Sequence, residues 1–132
     1  MRETDSGRDK RRFRRLRVNL AVVYRVNKPV ALRMAIGNKE TRATILDLSE
    51  GGLSVLTNCD IAGSSILLIK FTLFKVDDAD VSFYGPMEIV GEVRYNTPLG
   101  GNEYRLGISF KRIKNQDKVE IANFVKLKTI PP

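Results

Sequence analysis

Two short stretches of this chain carry side chains suited to chemistry. The first is Arg11-Arg12-Phe13-Arg14-Arg15, with Arg17 just beyond it. Guanidinium groups are planar, forked and permanently charged. They pair in a bidentate way with phosphate oxygens or with the O6/N7 edge of guanine, and they stack on bases. Five of the eight residues 10–17 are arginine and one is lysine, which favours planar recognition over plain charge. By itself such a run is most simply a solvated basic arm with weak affinity for nucleic acid or anionic lipid. The second stretch is Asp47-Leu48-Ser49-Glu50-Gly51-Gly52, with the spacing D-x-S-x-x-G. A carboxylate held at a strand end can accept hydrogen bonds from guanine N1–H and N2–H₂, and a serine hydroxyl adds a small donor and acceptor. A glycine lets backbone approach a base or ribose. The plainer reading is turn chemistry, in which Asp47 and Ser49 bond nearby amides and glycine supplies a positive φ.

The elements that must position these groups are mostly strands. In residues 18–26, Val18, Leu20, Val22 and Tyr24 alternate with Asn19, Ala21, Val23 and Arg25, which predicts a first strand. Lys28-Pro29 and Gly37-Asn38 punctuate a connection. Residues 42–48 and 53–57 form a predicted hairpin about the turn Ser49-Glu50-Gly51-Gly52. Residues 65–74, 87–95 and 103–110 are three further strand candidates. An acidic loop at residues 76–79 and the turn formers of residues 96–102 connect them. The C-terminal segment changes character. Asn115 can cap a helix and Asp117 suits its first turn. Val119, Ala122, Phe124 and Val125, widened by Ile121 and Leu127, make an apolar face that ends before Pro131-Pro132. Six short strands and one terminal helix predict a mainly β, six-stranded antiparallel barrel with a helical lid.

The chain has 132 residues and is 42% hydrophobic, enough for one domain with a real core. We divide it into a basic arm (residues 1–10), a folded domain (residues 11–127) and a short tail (residues 128–132). The net charge of +8 is uneven. Residues 1–17 hold eight basic and three acidic side chains, against 15 and 12 in the remainder. An anionic partner is therefore expected near the N-terminus. The chain has no histidine, which removes imidazole acid–base catalysis, Ser-His and Cys-His nucleophiles, and histidine metal ligands. Its one cysteine, Cys59, rules out an internal disulfide and suits a reducing compartment. Asp77, Asp78 and Asp80 do not follow the spacing of a calcium loop. The longest apolar run, Ile66-Leu67-Leu68-Ile69, falls far short of the ~20 residues of a membrane span, and residues 1–10 lack the apolar stretch of a secretory signal. A cytoplasmic protein with no enzymatic activity, no cofactor and no metal is expected.

Jointly, the two stretches resemble the ligand signature of the PilZ domain family, R-x-x-x-R followed some thirty residues later by [D/N]-x-S-x-x-G. Arg11 and Arg15 match the arginines, and Asp47, Ser49 and Gly52 match the second part. Arg8 and Arg12 stand four apart as well, but Phe13-Arg14-Arg15-Leu16 leads directly into the first strand as the family pattern does. Residues 18–26, Ile89-Val90-Gly91-Glu92-Val93 and Tyr104-Arg105-Leu106-Gly107-Ile108-Ser109-Phe110 are similar to family strands, so the resemblance covers about residues 10–127. It implies a PilZ-type, Greek-key-like barrel that binds cyclic di-GMP, as one molecule or a stacked pair, between the arginine segment and the barrel surface. Arg11 and Arg15 would contact guanine edges and phosphates, with Arg12 and Arg14 adding stacking or phosphate contacts. Asp47 and Ser49 would hold a guanine, and Gly52 would keep the turn open. The bound segment would then signal to a downstream protein partner. Two other readings compete: a PilZ-like protein-interaction module without the nucleotide, and a non-specific basic arm on a β-barrel.

Overall fold

The structure is a computed structural model, and it describes residues 15–36, 39–77 and 80–129. Six strands form one closed antiparallel barrel: β1 (Leu16–Lys28), β2 (Thr41–Leu48), β3 (Gly52–Thr57), β4 (Ile66–Asp77), β5 (Asp80–Gly100) and β6 (Glu103–Arg112). Around the barrel their order is β1-β2-β3-β6-β5-β4, and β1 closes it by pairing with both β2 and β4. Among the described residues two helices join the barrel, α1 (Val30–Ile36) between β1 and β2, and α2 (Asn115–Thr129) after β6.

Period-two alternation fills the barrel. Val22, Tyr24 and Val26 of β1, Leu67, Ile69, Phe71 and Leu73 of β4, and Leu106 and Ile108 of β6 are all buried. Inward side chains meet in a single apolar core, while their neighbours in sequence face out. From α2, Ile121, Phe124 and Val125 join this core, and the Phe124 ring meets Phe74 edge-on at 6.2 Å between centroids. Val119, expected on that apolar face, is instead exposed. It lies two residues before Ile121, about 200° round the helix from it, so it points away from the barrel.

Three stretches differ from the sequence expectation. The connection after Lys28 contains α1, built from helix formers such as Ala31, Leu32 and Met34, with Arg33 N–H donating to the Pro29 carbonyl at 3.1 Å. Seven residues are too few to show a helical period in sequence. β5 is far longer than residues 87–95. On its early side the ladder passes Gly85-Pro86 by a register shift, with Phe71 opposite Met87 and Leu73 opposite Tyr84. The extra residue on β5 absorbs the amide that Pro86 lacks. On its late side, residues expected to form a loop continue the ladder, with Asn96 opposite Leu106 and Pro98 opposite Tyr104. Only Gly101 and Asn102, both at positive φ, make the turn, as a tight hairpin requires.

One polar pair sits inside the barrel. The Tyr24 and Thr57 hydroxyls share a hydrogen bond of 2.8 Å. Burial pushes the Tyr24 phenol well above its ordinary ionisation range, outweighing the Thr57 bond that favours the charged form. Above about pH 10 the unfolded chain therefore loses a proton that the folded chain keeps. The stability linked to Tyr24 is full below that pH and falls above it by up to ~1.4 kcal/mol per pH unit. Urea titrations at about pH 9 and about pH 11 should show a steeper loss for the wild type than for Tyr24→Phe.

Candidate functional site

The antiparallel pairing of β1 with β2 brings the two sequence motifs together. Leu16 lies opposite Leu48 and Arg17 opposite Asp47, so the chain entering β1 arrives beside the turn that leaves β2. Arg15, the last described residue before β1, is exposed there. Arg8, Arg11, Arg12 and Arg14 lie outside the described residues.

The D-x-S-x-x-G turn is fastened from within. Ser49 N–H donates to the Gly52 carbonyl at 2.8 Å, and the Ser49 hydroxyl donates to that carbonyl at 3.2 Å. The same hydroxyl accepts from Gly51 N–H at 3.2 Å. Phe110 N–H of β6 donates to the Gly51 carbonyl at 3.0 Å, which ties the turn to the barrel. Ser49 thus does the turn work of the plainer reading. Gly52 does not need a positive φ; among the described residues the left-handed glycines are Gly85, Gly100 and Gly101. What excludes a side chain at Gly52 is β6, because a Cβ would lie 2.2 Å from the Ile108 carbonyl oxygen.

Asp47 faces the outside of the barrel yet is only 8% exposed. Arg105 of β6 covers it, with Nη2 donating to Asp47 Oδ2 at 2.7 Å and to the Ser54 hydroxyl at 3.4 Å. The Arg105 side chain remains 40% exposed, while its Nε is buried without a partner. Strand register explains the meeting. Arg17, Asp47, Ser54, Gly107 and Tyr95 are successive cross-strand partners over β1, β2, β3, β6 and β5. They form one outward row, and Arg105 lies two residues before Gly107 on the same face. The Tyr95 ring rests against Gly107, where an added Cβ would come 1.9 Å from Cε2. Tyr95 itself is 40% exposed. Sequence reasoning assigned no role to Arg105 or Tyr95. Their signal was the alternation Tyr104-Arg105-Leu106-Gly107-Ile108, which puts Arg105 and Gly107 on the face that carries Asp47 once β2, β3 and β6 are in register.

Beside the turn, a shallow cavity of about 310 Å³ is lined by Glu50, Ala122, Val125 and Lys126, between the turn and α2. Among the described residues no group of three His, Cys, Asp or Glu side chains is placed to hold a metal ion. No helix among them is long and apolar enough to cross a membrane. The site is thus an exposed arginine entrance, a covered carboxylate and an aromatic ring on one outer face. Such a face can hold a planar, anionic ligand by charge, hydrogen bonding and stacking.

Solved structures share this architecture. The Bacillus subtilis inhibitor of motility, MotI/DgrA, superposes with a TM-score of 0.67 at 14% identity, covering 92% of this chain and 54% of that one. YcgR from Escherichia coli in complex with c-di-GMP gives 0.60 at 12% identity, over 90% of this chain and 46% of that one. The PilZ domain of YcgR with c-di-GMP gives 0.58 at 12% identity, over 92% and 99%. The chain thus spans about half the length of the first two proteins and nearly all of the isolated domain. No curated protein matches it in sequence. The family match extends over residues 9–127, taking in both motifs, all six strands and most of α2, and by it the chain belongs to the PilZ domain family.

Proposed function

We propose that this chain is a cyclic di-GMP receptor whose arginine segment closes over the outer face of the barrel when the ligand binds. The observation that carries the reading is the register of β1 on β2, which sets the exit of the arginine segment beside Asp47. Family membership and the c-di-GMP complexes of the YcgR proteins support it. Arg11 and Arg15 take phosphates and the guanine O6/N7 edge, with Arg12 and Arg14 adding stacking or phosphate contacts. Asp47 accepts from guanine N1–H and N2–H₂, Ser49 holds the same base, and Gly52 keeps the turn in shape. Before binding, the crowded arginines repel one another. The dianionic ligand offsets part of their charge and pins the segment across the barrel, and a downstream protein reads that new face.

Arg105 has a part in this scheme. Its bond takes one lone pair of Asp47 Oδ2 and fixes the carboxylate, leaving Oδ1 and the other lone pair of Oδ2 for the two guanine donors. Arg105→Ala is expected to weaken cyclic di-GMP binding about tenfold by freeing the carboxylate to turn, and Arg105→Lys should recover part of the loss.

Calorimetry on the full chain with cyclic di-GMP, GTP and cyclic di-AMP tests the proposal. Saturable binding of cyclic di-GMP at micromolar concentrations or below is expected, with GTP and cyclic di-AMP much weaker. Equal responses to all three, set by salt alone, would identify a general polyanion binder instead. No response to any of them would leave a protein-interaction module.

A further inference from the structure

The end of the barrel away from the motifs carries a second feature that the ligand site does not use. There α1 packs Leu32 against the core and turns Val30 and Met34 outward, 52% and 73% exposed. Four residues apart, these two side chains share one face of the short helix. Cations surround them. Lys28 and Lys39 flank α1, Arg33 lies within it, and Arg25 and Arg42 sit near the adjoining ends of β1 and β2. The ion pairs among the described residues lie elsewhere: Arg105 with Asp47, Lys111 and Arg94 with Glu92, and Lys70 with Glu40. None of them involves Arg25, Lys28, Arg33, Lys39 or Arg42. Glu40 is the one carboxylate in residues 25–42, and Lys70 holds it at 3.2 Å. Five like charges with no ion-pair partner among the described residues stand around two exposed apolar side chains, an arrangement the packing of the barrel does not call for. They do match the plan of a protein interface, with an apolar centre inside a charged rim.

We propose that this pole is a docking surface for an acidic protein partner. Three of the five cations are arginines, whose forks pair with carboxylates in a bidentate way. Methionine adapts its shape to a partner and is enriched in interfaces. A membrane surface fits less well, because interfacial helices use a broad apolar face with Trp, Phe or Leu. Residues 25–42 also contain no aromatic ring on which a nucleic-acid base could stack. It lies at the other end of β1 from Leu16, so partner and cyclic di-GMP can be held at once. The proposal stands independently of the nucleotide reading.

A photocrosslinking residue placed at Met34 in the full chain, in cells that produce it, tests the surface. A protein adduct is expected whose crosslinked peptide contains a cluster of Asp and Glu. Arg33→Glu with Arg42→Glu should reduce the adduct at least tenfold without changing the cyclic di-GMP titration. Changing the partner's clustered carboxylates to lysine should restore the adduct with that charge-reversed chain. Circular dichroism checks that the variant folds, and Met34→Asp with the crosslinker at Val30 serves in its place if it does not. A crosslinked peptide without carboxylates, no protein adduct, or one indifferent to charge reversal would overturn the proposal. So would phosphatidylglycerol vesicles that bind the wild type tenfold better than the charge-reversed chain, since the occupant would then be a lipid surface.

Discussion

Asp47→Ala is expected to lower the affinity for cyclic di-GMP about a hundredfold while leaving a folded barrel. In the proposed complex the carboxylate would accept two hydrogen bonds from one guanine edge, and bonds to a charged group are worth ~1.5–3 kcal/mol each. The fold should tolerate the change because Asp47 faces outward and its partner Arg105 is 40% exposed, free to find water. Asp47→Asn keeps the shape but not the charge, and an amide cannot accept at both positions. Its loss should be smaller, about tenfold. Calorimetry with the three proteins, alongside circular dichroism, measures the series. An Asp47→Ala chain that bound like the wild type would remove Asp47 from the site.

Gly52→Ala is expected to unfold the barrel more readily, by about 3 kcal/mol, with ligand or without it. The added Cβ would meet the Ile108 carbonyl, which is backbone and cannot rotate aside. Relief requires β3 to move off β6, which strains the Gly52–Ser109 pairing and the Phe110-to-Gly51 hydrogen bond. Urea denaturation in the absence of nucleotide reads this directly. A glycine needed only for close approach of a base would show no change in stability and a loss of affinity alone. The signature position Gly52 thus serves the barrel first, and through it the geometry of Asp47 and Ser49.

Much of the fold was legible because inward and outward residues alternate cleanly. Val18 to Val26 announces β1, and Arg42 to Thr57 announces the β2–β3 hairpin with its turn. The family was legible because Arg and Asp-x-Ser-x-x-Gly carry their chemistry in their types and spacing, and the family match spans both. Register was not legible. Whether Arg105 meets Asp47 depends on how β3 lies between β2 and β6, and 58 residues separate the two side chains in sequence. An isolated arginine in a strand resembles any solvated one until that register is known. Local turn chemistry misled at the ends of β5. Asn96-Thr97-Pro98 looks like a break, yet the β5–β6 ladder runs through it, and a bulge carries β5 back past Gly85-Pro86, ahead of the start expected at residue 87. The short α1 was invisible for want of length. Val119 was placed on the buried face because several apolar residues crowd α2, and only contact with the barrel selects among them.

The central claim is that cyclic di-GMP sits between the arginine segment and the outer face bearing Asp47. Nitrogen–proton correlation NMR on the labelled full chain tests this most directly, by following backbone amides and their heteronuclear relaxation through a cyclic di-GMP titration. The predicted result is saturable shifts at Arg15, Arg17, residues 47–54 and residues 105–107, with residues 8–17 becoming more rigid and α1 unchanged. Shifts confined to other faces, or residues 8–17 equally rigid with and without ligand, would contradict it.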